Sequence, residues 1–205
     1  MEVTLLPDTN VELRVIGSVV HGYKLNGTAK EDESEVKALI AKPSVQLVSY
    51  TITEKGYAIR GIDGDYLEQV KLDMASGPSK VGHAMSWTVA LLHERFKAGA
   101  KPIAMVSMDN CSHNGDKLKA AVLEIAKAWL DKGFVDAAFI AYLEDESKVS
   151  FPWTMIDKIT PRLHLLTLKS LNTLSLKISS QMAAHHLRRL ACSLLMVQAS
   201  ICASA

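Results

Sequence analysis

Between positions 107 and 114 six polar residues crowd together: Ser107, Asp109, Asn110, Ser112, His113 and Asn114. They follow directly on an apolar run, Ile103-Ala104-Met105-Val106. The side-chain amide of Asn110 can donate an N–H to an oxygen that is gaining negative charge, such as a developing alkoxide. Asp109 and Asn110 are equally good helix caps, because their side-chain oxygens accept from free N–H groups at a helix start. A helical pattern begins just after them, so both readings stand on the residue types alone. His113 reads as a surface group of the loop, Asn114-Gly115 as the opening of the helix, and Cys111 as a small buried residue with no activating partner.

These side chains need elements to hold them. The Ile103–Val106 run has the pattern of a strand buried on both faces of a parallel sheet. A second such run, Val45–Thr53 (VQLVSYTIT), leads into the polar turn Glu54-Lys55-Gly56-Tyr57. In open α/β sheets ligands sit beyond the carboxyl ends of the strands, which is where both polar clusters fall. Thr53 and Glu54 then sit at a strand's carboxyl end, although Glu54-Lys55 also reads as a solvated turn.

Around these strands the sequence predicts helices over Lys30–Ala41, Gly82–Ala98, Asp116–Lys132 and Val135–Glu144. Met85, Val89, Leu92 and Phe96 repeat at the spacing of one buried helix face, as do Leu118, Val122, Ile125 and Trp129. Trp87 and Trp129 are assigned to the core. Gly99 and Gly133 supply helix ends. Short strands are expected at Val3–Leu6 and Val149–Phe151, an extended stretch at Glu12–Leu25, and a turn between Gly61 and Gly64. Strand–helix alternation of this kind predicts an α/β fold, a partial Rossmann-like doubly wound parallel sheet.

The composition, 48% hydrophobic and 22% charged over 205 residues, is that of an ordinary globular chain. A net charge of +1 gives no argument for a nucleic-acid or membrane partner. Three cysteines without a CxxC pair or a Cys/His metal spacing indicate neither a disulfide framework nor a metal site, and fit a reducing, cytoplasmic setting. No signal peptide or run of 18 apolar residues is present. Residues 1–161 carry a net charge of −4, whereas 162–205 carry five basic residues and no acid. From Leu163 onward there are 11 Leu and 7 Ser but no Gly, Pro, Asp or Glu. The expected organisation is therefore a domain over 1–161 and an atypical tail over 162–205, either helical or disordered or else not native coding sequence.

Three segments together resemble one family, the polyol-specific long-chain dehydrogenases, which include mannitol 2-dehydrogenase, fructuronate reductase and tagaturonate reductase. They are Thr51-Ile52-Thr53-Glu54-Lys55-Gly56-Tyr57, Ser107-Met108-Asp109-Asn110-Cys111-Ser112-His113-Asn114-Gly115, and Phe151-Pro152-Trp153-Thr154-Met155-Ile156-Asp157-Lys158-Ile159-Thr160-Pro161. The family patterns are close to T-x-T-E-K-G-Y, S-C-D-N-x-x-x-N-G and F-P-x-x-M-V-D-R-I-T-P. The resemblance implies NAD-dependent transfer of a hydride between nicotinamide and a secondary alcohol of a sugar or sugar acid, with fructuronate reductase favoured. Mannitol 2-dehydrogenase and tagaturonate reductase are the alternatives. It implies Asn110 as a catalytic donor forming half of an oxyanion hole. Thr53, Glu54 and Asp109 are expected beside the cofactor, and Asp157 and Lys158, the latter in place of the usual arginine, at the substrate. A surface ion pair is the competing reading of Asp157 and Lys158.

Two family features are not found. None of the eleven glycines forms the G-x-G-x-x-G turn that brings a pyrophosphate to a helix N-terminus. The family's lysine base belongs to a K-x-x-x-x-N-x-x-H pattern, but Lys169 is followed five residues later by Leu174 and Lys177 by Met182. The expectation is a fragment of the family's N-terminal domain, with an inactive truncated chain as the rival to an enzyme. The sequence indicates no oligomeric state.

Overall fold

The computed structural model describes residues 2–5, 11–14, 21–25 and 29–156. The tail, Val15–Val20 and two expected site residues, Asp157 and Lys158, lie outside the described residues. Strands β1 (Glu2–Leu5) and β2 (Val11–Arg14) form an antiparallel pair. The main sheet is parallel and three-stranded, in the order β3 (Leu47–Tyr50), β4 (Ile103–Ser107), β5 (Val149–Ser150). Helices α1 (Lys30–Ile40), α2 (Thr53–Gly56), α3 (Glu68–Ser76), α4 (Ala84–Lys97), α5 (Asn114–Asp131) and α6 (Ala137–Glu144) complete it. A single 3₁₀ turn, Gly77–Ser79, follows α3.

Both crossovers step the same way across the sheet, from β3 to β4 and from β4 to β5. Right-handed connections then place α4 and α5 on one face, where they pack against each other. This is one winding of the doubly wound arrangement. Val48, Ile103, Met105 and Val149 on that face are buried against the fully buried Met85, Val89 and Leu92 of α4 and Leu118, Val122, Ile125 and Trp129 of α5. The stripes expected from helical spacing are thus core, and both Trp87 and Trp129 are buried. Among the described residues no helix is long and apolar enough to cross a membrane.

Two elements differ from expectation. The strand expected to reach Thr53 ends at Tyr50, and Thr53 opens the single turn of α2 with a positive φ of 62°. Helix α3 was not expected, because its buried face holds only Val70 and Met74 with the polar Asp73. Asp73 accepts from the backbone N–H groups of Gly82 (3.0 Å) and His83 (2.8 Å) just before α4. His83 caps α4 in turn, accepting from Met85 N–H through Nδ1.

At the opposite end of α4 a charge is buried. Arg95 is 0% exposed, and its guanidinium donates to five backbone carbonyls: Lys101 (2.8 Å), Ile40 (2.6 Å), Lys42 (3.1 Å), Val45 (2.8 Å) and Pro102 (2.6 Å). These lie at the end of α1 and just before β3 and β4. One side chain therefore ties together the amino ends of two parallel strands. Replacing it leaves buried carbonyls without donors, so Arg95→Met is expected to lower the unfolding free energy by about 3–5 kcal/mol. Urea denaturation checks this, and a loss within about 0.5 kcal/mol would contradict it.

Candidate active site at the carboxyl edge of the sheet

At the carboxyl end of β4 the ladder runs one step past the strands, with Met108 N–H donating to the Tyr50 carbonyl at 2.7 Å. The chain then turns, and successive side chains go to opposite uses. Asp109 points inward: Oδ2 accepts from Ile52 N–H (2.9 Å) and from the Tyr57 hydroxyl (2.5 Å), and Oδ1 accepts from Thr53 N–H (2.9 Å). The Tyr57 hydroxyl also lies 2.7 Å from Ser107 Oγ. Its only proton goes to the carboxylate, so Ser107 is the donor in that contact. Burial, then the hydrogen bond to Asp109, push the Tyr57 hydroxyl well above the ordinary phenol range, and it stays protonated.

Asp109 thus caps a helix, but not the expected one. It satisfies the free N–H groups at the start of α2, more than fifty residues back along the chain. It does not cap α5, whose N-cap position is His113 with no side-chain cap bond. Both oxygens of Asp109 are engaged within the protein, which makes it a strut of the site rather than a free ligand group. Asn110 is exposed beside it at the same edge of the sheet.

Asn114 locks the third segment on. Fully buried, it donates through Nδ2 to the carbonyls of Asp109 (3.1 Å) and Thr154 (3.1 Å) and to Thr154 Oγ1 (2.8 Å), and accepts from Thr154 N–H (3.1 Å). Thr154 Oγ1 donates to the Ser107 carbonyl at 2.5 Å. Gly115 permits the close approach, since a Cβ there would stand 2.3 Å from the Phe151 carbonyl oxygen. The three segments singled out in the sequence are therefore one hydrogen-bonded cluster.

The remaining expected site residues fall as follows. Thr53 is exposed, with its N–H held by Asp109 and its backbone in a region a β-branched residue rarely occupies. Glu54 is exposed and pairs with Lys117 of α5, so the turn reading describes its present contact. Cys111, expected to be buried, is half-buried because it sits in the turn closed by its own N–H on the Asp109 carbonyl. His113, in the left-handed region at φ 53°, stacks on Trp153. Among the described residues no group of three or more His, Cys, Asp or Glu could hold a metal. Tyr57, Ser107 and Thr154 received no role from the sequence. Tyr57 was visible as the last residue of the first segment, whereas nothing distinguished Thr154.

The cluster makes an ordered prediction. Asparagine at 109 keeps one acceptor oxygen and strands a backbone N–H, so Asp109→Asn is expected to destabilise by about 2–3 kcal/mol, and Tyr57→Phe by about 1–1.5 kcal/mol. Urea unfolding of the two variants checks this, and the reverse order would contradict it.

A family model, the mannitol dehydrogenase Rossmann domain, matches residues 7–184, running past the boundary at 161 that composition suggested. The chain is 46% identical over 159 residues to a D-mannonate oxidoreductase of Thermotoga maritima, covering 78% of this chain and 29% of that protein. It is 33% identical over 172 residues to a polyol:NADP oxidoreductase of Gluconobacter oxydans, covering 82% and 33%. The solved mannitol 2-dehydrogenase of Pseudomonas fluorescens, in ternary complex with NAD and D-mannitol, superposes with a TM-score of 0.50 at 30% identity, over 71% of this chain and 28% of that one. The chain spans about a third or less of these relatives' lengths. It belongs to the mannitol dehydrogenase family, through that family's Rossmann domain.

Proposed function

We propose that this chain provides the Rossmann-domain part, with its carboxyl-edge site, of an NAD-dependent oxidoreductase that interconverts a keto-hexuronate with its aldonate, with fructuronate and D-mannonate as the pair. The observation that supports the reaction type is the exposure of Asn110 at the edge where α/β sheets take their ligands, beside Asp109, which is fixed inward by three hydrogen bonds. In this reading Asn110 donates its amide N–H to the substrate oxygen as it becomes an alkoxide. Asp109 holds the backbone on which Asn110 rides, and Thr53 and Glu54 border the nicotinamide. Asp157 and Lys158 are proposed for the substrate. The choice of substrate leans on the 46% identity to the D-mannonate oxidoreductase, against 33% for the polyol:NADP relative. Mannitol 2-dehydrogenase and tagaturonate reductase are the nearest alternatives.

The described residues fit one end of the cofactor. Exposed Thr53 and Glu54 suit the nicotinamide end, and bound NAD would supply the hydride acceptor. A pyrophosphate finds no cradle among them: the glycine turn is not in the sequence, and the start of α5 is closed by Phe151–Thr154. A second reading, in which the 205 residues bind but do not turn over alone, is favoured by the lysine pattern missing from 162–205.

The test replaces the matched 159 residues of the Thermotoga maritima enzyme with those of this chain. The chimera is expected to oxidise NADH with fructuronate in preference to fructose. Asn110→Ala in it should lower kcat on the order of a hundredfold with little change in KM. Wild-type turnover in that variant would leave Asn110 a loop residue.

A further inference from the structure

Three residues after Asn110, at His113, an exposed aromatic surface begins. Trp153 is 60% exposed, unlike the buried Trp87 and Trp129. One face of its indole is covered by the His113 imidazole, with ring centroids 4.3 Å apart and planes 14° from parallel. With that face covered, such exposure means that the opposite face is open to solvent. The backbone on either side of the ring is anchored. Thr154, the next residue, is held by its hydrogen bonds to Asn114 and Ser107, and on the other side Phe151 closes on Gly115.

The same amide that fixes Trp153 fixes Asn110. Asn114 donates to the Asp109 carbonyl, whose carbon is bonded to the Asn110 nitrogen, and accepts from Thr154 N–H, whose nitrogen is bonded to the Trp153 carbonyl carbon. Donor and indole are therefore each one peptide link from a single side chain. An indole face carries excess electron density, and the C–H bonds of a sugar carbon chain are polarised positively by their hydroxyl oxygens, so the two attract. A fixed apolar platform beside a few polar groups is also the usual make-up of a small-molecule site.

We propose that the open face of Trp153, backed by His113, is a subsite that stacks the C–H face of a sugar acid or polyol and so orients its carbinol toward Asn110. This rests on the proposed function for the identity of the ligand. Trp153 occupies a position that the family pattern leaves open.

The test is saturation-transfer NMR on the full 205-residue chain with D-mannonate and D-mannitol as probes, alongside a separate NADH titration followed by NADH emission. Saturation is expected on the sugar C–H protons with the wild-type chain, retained in Trp153→Phe and reduced at least about fivefold in Trp153→Ala. His113→Ala should fall between. Circular dichroism confirms that each variant is folded. Equal transfer in Trp153→Ala, or none in the wild type, overturns the subsite. Sedimentation provides a further arm: a self-association that Trp153→Ala abolishes, with sugar transfer unchanged, would make the face a contact between copies and overturn the proposal. NADH binding without sugar contact sinks the subsite alone. Sugar contact without NADH binding keeps the subsite and counts against the proposed nicotinamide contacts of Thr53 and Glu54.

Discussion

A single buried guanidinium holds the amino ends of the two longest strands of the main sheet. Arg95 has backbone carbonyls as its five partners, drawn from the end of α1 and from the residues just before β3 and β4. A charge taken out of water needs full hydrogen bonding to be tolerated, and here the carbonyls provide it. The consequence is felt at the far end of the strands. With their starts fixed relative to each other, β3 and β4 leave the sheet in a set register, Tyr50 opposite Ser107. The carboxyl edge can then be irregular without losing its geometry.

That irregularity has a simple logic. Polar groups leaving a parallel sheet must satisfy the backbone N–H groups freed by the loops or be free to meet a ligand. Asp109 takes the first task, serving the backbone of Ile52 and Thr53, with Asn110 exposed beside it. Asn114 and Thr154 repeat the inward task between β4 and β5. Trp153 and His113 then form a surface whose position is set by neighbours rather than by its own packing. The positive φ values of Thr53 and His113 lie at this edge, where surrounding hydrogen bonds hold unfavourable backbone in place.

Much of this was legible in the sequence. The apolar stripes of α4 and α5 and the buried run of β4 are strong periodic signals and appear where expected. Helix α3 was hidden because its buried face includes an aspartate, whose value lies in capping a distant segment. Arg95 was silent for the same reason: an arginine in the last turn of a helix reads as a solvated group, and only the fold brings five carbonyls to it. The polar cluster at 107–114 was visible as a cluster, but its internal roles were not. The reading of Asp109 as a cap for α5 missed the partner the fold gives it, the start of α2, far back in the chain. Such partners are set by tertiary proximity, which local spacing does not encode.

The proposed function places ligand at the carboxyl edge of β3 and β4, on the exposed side of the Asp109 strut. Backbone amide chemical shifts measured on the full chain with and without NAD test it most directly. Shifts are expected at Thr53, Glu54 and Asn110, with Gln46, Lys101 and Lys148 at the amino edge unmoved. Shifts confined to the amino edge, or none at saturating NAD, would contradict it.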